Sequence, residues 1–499
     1  MGFTRGLLVV CALVVLSCPL HAQSDDAVQE SHRAKDLMAA GKFEEALAVY
    51  RDLVRAVPNN SGLITDLGLA LDMAGYKREA VREFEASLKL DPHQVPVWLF
   101  LGTAYLDLGE PTKAIEPLGR VLKAEPDNSD ARETLAEVSL ALGRFEQAAE
   151  RFRKLSETDV QNPKVWFGLG LAYQELAQRN FDELQRVAPG SAYWLALVAE
   201  SRLKVQQSNS AFFFYRQALA KMPSMRGVHR ALAQVYRNTG HEDWASIEED
   251  KESRLPAPDC GAQRLECDFV AGHYSELVAS AHGSSTAESY YWRTRAYNRL
   301  ALDAFSRLGQ LPTSAEMHEL IAKIHFDQRQ YDESAKEWRE ALKLSPGNAY
   351  IRKKLALSLI QGGDRQTAEP LLRELLKQAP DSVELNNMMG DTLLDLQKAE
   401  EAIPYLKKVV QLEPKLLQAQ RTLGRAYLQL GRPQQAIPHL KAALPIDDDG
   451  NVHYLLARAY QTSGRADLAK AAIKDYQEIA QSAKSEEEAT QQEVEITPP

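Results

Sequence analysis

Glycine and proline recur along this 499-residue chain at a spacing of 34 residues, and this period constrains the fold more than any other feature. The glycines stand at Gly41, Gly75, Gly109 and Gly143. The prolines stand at Pro58, Pro92 and Pro126, and again at Pro346, Pro380 and Pro414. Because both residue types end helices, two independent signals predict a chain built from repeated short units.

Each unit has the residue pattern of a helical hairpin. In residues 61–94, Ile64, Leu67 and Leu71 form one apolar stripe on a first helix. A glycine ends that helix, and Phe84 lies on the second helix between small residues that let the two helices approach. Isolated helices of this length are marginal in water. Each hairpin must therefore stack on its neighbours, which predicts a solenoid.

The side chains between the glycines and prolines also repeat. One unit carries Trp98, Leu101, Gly102, Tyr105, Ala114, Leu118 and Pro126. Parts of this series recur at Trp166, Leu169, Gly170 and Tyr173, and at Leu423, Gly424, Tyr427, Ala436, Leu440 and Ala443. The series resembles the tetratricopeptide repeat (TPR) family, whose pattern is W-x2-L-G-x2-Y, then A-x3-F, then P. The resemblance implies an all-α fold, a right-handed α-solenoid (superhelix) of stacked TPR helix-turn-helix hairpins.

The register of the repeats predicts how the chain is organised. Regular units fall at 27–60, 61–94, 95–128, 129–162, 192–225, 315–348, 349–382, 383–416, 417–449 and 450–483, and another begins at 226. A first helix at 163–176 has a degenerate partner, and the register fails from Leu255 to about Leu311. We therefore predict a signal peptide (1–22), an N-terminal TPR array (23–190), a divergent helical region (191–311), a C-terminal TPR array (312–483) and an acidic disordered tail (484–499).

The first 22 residues have the order of a secretory signal peptide. Arg5 precedes the apolar run Leu7–Leu16, and cleavage after Ala22 would release a periplasmic or secreted protein. The alternative is a lipoprotein, in which Cys18 becomes the lipidated first residue. The apolar run is about half the length of a membrane span, and no later segment approaches that length.

Cys260 and Cys267 are the two cysteines outside the leader. An oxidising compartment would join them in a disulfide, which closes a short loop. Two free thiols or a metal pair remain the alternatives, although no His or Cys lies nearby at zinc spacing.

Composition and motifs argue against several functional classes. The net charge is −10 and no long basic run offsets it, so we expect no nucleic-acid partner. No catalytic signature or phosphate loop is present in the sequence. His318 and Glu319 begin like a helical zinc-protease motif, but the next histidine, His325, follows His318 by seven residues instead of four. We therefore predict no enzymatic activity, no cofactor and no metal site.

The family resemblance also indicates where a partner would bind. TPR first helices line the concave face, typically with ligand-facing side chains at positions 2, 5, 9, 12 and 13 of each unit. Carried over to the three C-terminal units, these positions include Asn387, Asp391, Arg421, Arg425, Tyr454 and Arg458. The arginines could grip an acidic segment or a chain terminus. Alternatively, Asp391, Asp395 and Glu384 pair with them as a solvated face of mixed charge.

Aromatic residues mark a second candidate surface in the divergent region. They stand at Tyr193 and Trp194, at Phe212–Tyr215 and at Tyr290–Trp292. Four consecutive aromatic side chains cannot all face one side of a helix. At least one contacts a neighbouring irregular element or anchors a partner or a second copy of the chain.

The sequence therefore predicts a non-catalytic TPR scaffold that binds envelope proteins or extended peptides on its concave face. One alternative is a lipid-anchored assembly factor of an outer-membrane, pilus or exopolysaccharide export machine. A third hypothesis is an enzyme whose site lies in the irregular middle, residues 163–311.

Overall fold

A computed structural model describes the backbone of residues 20–493 and 495–499, with side-chain burial for residues 27–482, 484 and 495–499. Within this part of the chain the secondary structure is entirely helical, with no strand. The predicted all-α class is confirmed. Most of the predicted signal peptide, including Cys18, lies outside the described residues.

The chain divides into two compact units between Thr134 and Leu135. The first contains α1 (Leu20–Ala39), α2 (Phe43–Ala56), α3 (Ser61–Met73), α4 (Lys77–Leu90), α5 (Val95–Asp107) and α6 (Pro111–Ala124). The boundary falls within α7 (Ser129–Ala141).

The second unit begins with α8 (Phe145–Thr158), α9 (Pro163–Val187), α10 (Ala192–Lys204), α11 (Ser208–Lys221), α12 (Val228–Asn238), α13 (Glu242–Ser253), α14 (Arg264–Val270), α15 (Tyr274–Ser280) and α16 (Ala287–Leu308). It continues with α17 (Ala315–Asp327), α18 (Tyr331–Leu344), α19 (Ala349–Gln361), α20 (Arg365–Gln378), α21 (Val383–Asp395) and α22 (Ala399–Leu412). It ends with α23 (Leu417–Gln429), α24 (Pro433–Ala443), the 3-10 turn Leu444–Ile446, α25 (Asn451–Thr462) and α26 (Ala466–Glu493).

The hairpin formed by α3 and α4 illustrates how the repeat residues build each unit. Asn60 caps α3 by accepting a hydrogen bond from the backbone N–H of Leu63 at 3.1 Å. Gly75 ends the turn with a φ of 89°, a conformation that favours glycine. Phe84 of α4 is fully buried against Gly68 of α3, where a Cβ would lie 2.6 Å from the ring. Glycine at this position therefore lets the aromatic ring fill the gap between the two helices.

The helix that begins at Pro163 takes its partner from a distant part of the sequence. No glycine lies between Gly170 and Gly190, so α9 is not ended at the usual place in the repeat and continues for 25 residues. It packs antiparallel against α16, with Phe167 and Phe305 6.4 Å apart and Tyr173 and Tyr297 6.0 Å apart between ring centroids. The sequence predicts a degenerate second helix directly after residue 176. Among the described residues α9 continues there instead, and α16 packs against it in the place of that second helix.

The intervening residues 188–286 form a branch, which contains α10 to α15. Its two full hairpins, α10 with α11 and α12 with α13, are followed by two short helices. One apolar cluster, here called the branch cluster, joins these helices to the ends of α9 and α16. Its members include Leu184, Leu195, Tyr215, Tyr236, Leu277 and Trp292. In the same branch Cys260 and Cys267 form a disulfide, which ties α14 to the loop before it.

Regular hairpins return from α17 to α26, and the last helix is longer than the repeat requires. The segment predicted as a disordered tail begins at residue 484, but α26 runs to Glu493. After Gly464 the sequence has no glycine or proline until Pro498, so nothing stops the helix at the end of the repeat. The prediction of disorder is therefore corrected for residues 484–493, where the backbone is helical. The other predicted domain boundaries stay predictions.

Close packing at Gly170 yields a test of the long-range helix pair. A Cβ at this position would lie 2.3 Å from the Phe305 ring, so Gly170→Ala forces α9 and α16 apart. We expect the free energy of unfolding to fall by about 1–3 kcal/mol, measured by urea unfolding followed by circular dichroism.

The matched control is Gly119→Ala on α6, where no atom lies within 4 Å of the added Cβ. This change should leave stability unchanged or raise it by up to about 1 kcal/mol, because alanine favours a helix over glycine. Equal effects of the two substitutions would contradict the close contact between α9 and α16.

Candidate peptide-binding face

Three neighbouring first helices carry the predicted ligand-facing residues. Helix α23 packs against both α21 and α25, so side chains at equivalent repeat positions lie side by side. We call this surface the arginine face, and it consists of Asn387, Asp391, Arg421, Arg425, Tyr454 and Arg458. The structure therefore brings all six predicted residues onto adjacent helices.

Asp395 organises the charges at one edge of the arginine face. One carboxylate oxygen lies 2.7 Å from Nη2 of Arg425, and the other lies 2.5 Å from Nε of Arg365. These three residues belong to three successive units of the array. At Arg425 the pairing is therefore the mixed-charge arrangement that was the alternative to a ligand site.

Arg421 and Arg458 differ from Arg425. Arg421 is half-buried and Arg458 is exposed, and among the described residues neither forms an ion pair within 4.0 Å. The charge of Arg421 still acts over a longer distance. The hydrogen bond from the backbone N–H of Asn451 lowers the pKa of Asp449, and the charge of Arg421 makes a smaller contribution in the same direction. Two guanidinium groups therefore remain able to bind an acidic group.

Asp391 and Asn387 form the polar floor of the arginine face. Burial raises the pKa of Asp391, although a hydrogen bond from Thr422 and the charge of Arg425 oppose this shift. Asn387 donates to Asp391 through Nδ2 at 3.4 Å, and its own Oδ1 is buried without a hydrogen-bond partner among the described residues. An unsatisfied amide oxygen can accept a hydrogen bond from a backbone N–H of a bound peptide.

Tyr454 supplies an aromatic surface at the far edge of the arginine face. Its ring centroid lies 5.6 Å from that of Tyr476 on α26, and 42% of the residue is exposed. A tyrosine in this setting offers both an apolar ring and a hydroxyl. The arginine face can therefore combine charge recognition with an apolar contact.

Sequence reasoning missed two charged residues on the first helix α17, the buried Glu319 and the half-buried Lys323. Glu319 and Lys323 occupy positions 5 and 9 of unit 315–348, the same positions as Arg421 and Arg425 in theirs, so the repeat register alone could have identified them. Burial raises the pKa of Glu319 to about 7, and Lys323 only partly opposes this shift. Burial lowers the pKa of Lys323, whose Nζ lies 5.3 Å from the ring centroid of Phe167.

The described residues also bear on metal binding and on whether a helix spans a membrane. No group of three or more His, Cys, Asp or Glu among them could hold a metal ion. His318 and His325 are instead hydrogen-bonded to Glu337 and Gln330, at 2.6 and 2.7 Å. Among the helices that the structure describes, none is both long and apolar enough to span a bilayer.

Three tetratricopeptide repeat profiles match the sequence. One matches residues 109–169 and 393–458, a second matches 33–95, 65–131 and 319–383, and a third matches 450–482. The chain belongs to the tetratricopeptide repeat family. The matched TPR ranges lie on both sides of the branch.

Several curated proteins are similar to part of the chain. Sperm-associated antigen 1 of Rattus norvegicus is 28% identical over 124 residues, which is 25% of this chain and 14% of that protein. The probable UDP-N-acetylglucosamine--peptide N-acetylglucosaminyltransferase SPINDLY of Petunia hybrida is 33% identical over 119 residues, 22% of this chain and 12% of that protein. BBSome complex member BBS4 of Bos taurus is 24% identical over 177 residues, 34% of each chain. The matches thus span about a third or less of these relatives.

Solved TPR structures also resemble parts of the chain. The structure titled MamA MSR-1 C2 is 24% identical with a TM-score of 0.32, and the match covers 34% of this chain and 98% of that one. A tetratricopeptide repeat protein from Parabacteroides merdae ATCC 43184 is 14% identical with a TM-score of 0.32, over 67% of this chain and 99% of that one.

The raised pKa of Glu319 predicts a pH-dependent stability. The folded protein holds a proton at Glu319 up to about pH 7, whereas the unfolded chain releases it near pH 4.5. The free energy of unfolding should therefore fall as pH rises through this window, by up to about 3 kcal/mol. Glu319→Gln cannot ionise and should remove this loss, as measured by urea unfolding at pH 5 and pH 8.

Glu413→Gln is the matched control, because Glu413 is exposed at the end of α22. Its effect on stability should be small and should not change between the two pH values. If Glu319→Gln also altered stability equally at pH 5 and pH 8, Glu319 would not be the group that titrates.

Proposed function

We propose that the protein is a non-catalytic scaffold whose arginine face holds an acidic, extended segment of an envelope protein or peptide. Membership in the TPR family supports a protein-interaction scaffold. The observation that carries the proposal is the position of Arg421 and Arg458, two guanidinium groups without an ion pair among the described residues, on adjacent first helices. A carboxylate can accept two parallel hydrogen bonds from each group.

The three arginines of the arginine face would contribute to binding in different ways. Asp395 already holds Arg425, so this arginine is oriented before a ligand arrives. Ordering a long side chain in advance reduces the entropy lost on binding. Arg421 and Arg458 supply the charge that attracts an acidic segment, and Tyr454 adds an apolar contact. Binding should therefore weaken as salt concentration rises.

The interior of the branch supports a binding role over an enzymatic one. An enzyme site in residues 163–311 would need titratable groups that converge on a cavity. The buried apolar side chains of that region instead form the branch cluster, which is rich in Leu and Ala. The buried carboxylates there already have partners: Glu248 is hydrogen-bonded to His229, Glu252 accepts from the backbone N–H of Gly227, and Glu266 accepts from Arg226. The net charge of −10 likewise disfavours a nucleic-acid partner.

We propose a periplasmic or secreted location, with release by cleavage after Ala22. The disulfide between Cys260 and Cys267 supports an oxidising compartment. The competing proposal is a lipid-anchored assembly factor of an outer-membrane, pilus or exopolysaccharide export machine, attached through Cys18.

The arginine face is tested by combining Arg421→Ala, Arg425→Ala and Arg458→Ala in the full chain. Pull-down from an envelope fraction with this variant should lose partners that the wild type captures, with recovery reduced about tenfold or more. Each lost charge-assisted hydrogen bond removes about 1.5–3 kcal/mol of binding free energy, so the combined loss exceeds a factor of ten.

Lys377→Ala, Lys407→Ala and Lys441→Ala together form the matched control. These exposed lysines lie on the second helices α20, α22 and α24, and the control removes the same net charge away from the arginine face. Partners should be retained by the control. If the arginine variant recovered the same partners as the wild type, binding at this face would be refuted.

The two proposed locations predict different N-termini for the mature protein. Mass spectrometry should find an unmodified chain that begins at Gln23, because cleavage follows Ala22. An acylated Cys18 at the first position would instead support the lipid-anchored form and contradict free release.

A further inference from the structure

The segment that follows α26 returns to the branch. Ile496 packs against the branch cluster, more than 200 residues away in sequence from the cluster members on α12. Ile496 and Pro499 are half-buried, while Glu495, Thr497 and Pro498 are exposed. We call residues 495–499 the tail segment.

A hydrogen bond fixes the tail segment at Tyr236 of α12. The phenol of Tyr236 donates to the backbone carbonyl oxygen of Thr497 at 2.8 Å. Tyr236 itself is fully buried, with Phe212 and Trp244 at ring-centroid distances of 5.7 and 5.5 Å. A buried tyrosine needs a partner for its hydroxyl, and here the tail segment supplies it.

The sequence of the tail segment suits an extended conformation. Pro498 and Pro499 have a fixed φ and no N–H, and Thr497 precedes a proline, which restricts it to an extended backbone. A polyproline II helix has three residues per turn, so residues 496 and 499 fall on one face. These are the two half-buried positions. Such a segment loses little conformational entropy when it docks.

Helix α26 provides the reach for this contact. It contains 28 residues, whereas α18, α20 and α22 contain 14 each. At about 1.5 Å per residue it spans about 42 Å. The second half of α26 therefore extends beyond its own hairpin and carries the tail segment to the branch.

We propose that the branch contains a second peptide-binding site, separate from the arginine face, that the tail segment occupies within the same chain. The site takes extended segments in which an aliphatic residue precedes Thr-Pro-Pro. Ile496 enters the apolar cluster and the carbonyl of the following residue accepts the hydrogen bond from Tyr236. A tethered segment has a high effective concentration, so an outside peptide must displace it.

The tail segment is held by few contacts, which makes it exchangeable. Its described anchors are one hydrogen bond and the half-buried Ile496, and three of its five residues are exposed to solvent. Segments with few buried apolar contacts open locally at a low free-energy cost compared with global unfolding. Release of the tail segment therefore leaves the hairpins of the branch intact.

Fluorescence anisotropy with the labelled peptide EVEITPP, the sequence of residues 493–499, tests the proposal on the full chain. The wild type should bind this peptide weakly, because its own tail segment fills the site. Ile496→Asp releases that segment, since a carboxylate is excluded from an apolar cluster. This variant should bind EVEITPP at least tenfold more tightly than the wild type does.

Tyr236→Phe in the Ile496→Asp background tests the hydrogen bond. It keeps the ring and removes the hydroxyl, so the affinity for EVEITPP should fall about fivefold. The peptide EVEDTPP is the matched control and should not bind. Equal binding of EVEITPP by Ile496→Asp and the wild type would overturn the proposal. A lower melting temperature of Ile496→Asp without peptide binding would also overturn it, because the tail segment would then be a fixed structural cap.

Discussion

Each hairpin of this protein depends on its neighbours to cover an apolar stripe that it cannot bury alone. Phe84 shows the contact within one hairpin, where the ring fills the space above Gly68. The stripes on the outer sides of that hairpin still need partners from the next units. This requirement accounts for the most unusual feature of the second unit. Helix α9 has no complete partner next to it in the sequence, so its long apolar face is covered by α16.

The pairing of α9 with α16 is possible despite the long segment between them, because the entropic cost of closing a loop grows slowly with its length. Closing a flexible segment as long as the branch would cost about 4 kcal/mol. The aromatic pairs of Phe167 with Phe305 and Tyr173 with Tyr297 offset that cost, since such pairs add to the burial of their large surfaces. The branch also folds on its own hairpins, which brings the ends of α9 and α16 together. An insertion can therefore be accommodated between the two helices of one unit without breaking the stack.

Local signals in the sequence were sufficient for the regular hairpins but not for the branch. The glycine at residue 75 and the ring of Phe84 identify a hairpin from residues close together in the chain. The α9 and α16 pair could not be predicted in this way, because its contacts join residues more than 100 positions apart and no repeat motif marks α16. The helix beyond residue 484 could have been predicted from the lack of glycine and proline, which the acidic composition obscured. The six residues of the arginine face followed from the register alone. The register could not show that Asp395 pairs with Arg425, or that Arg421 has no ion pair within the part of the chain that the structure describes.

The second unit contains two candidate binding surfaces, one charged and one apolar. The arginine face is polar and half-exposed, and an attraction between its guanidinium groups and an acidic segment would act over a distance and weaken as salt concentration rises. The site at Tyr236 is apolar and offers a single hydrogen-bond donor, so it acts only at contact and depends little on salt. Because helix α26 packs on α25 at one end and leads to the tail segment at the other, it physically connects the hairpin that carries Tyr454 with the branch. Tyr454 on α25 contacts Tyr476 on α26, so a partner that displaces Tyr454 would also act on the helix that leads to the tail segment.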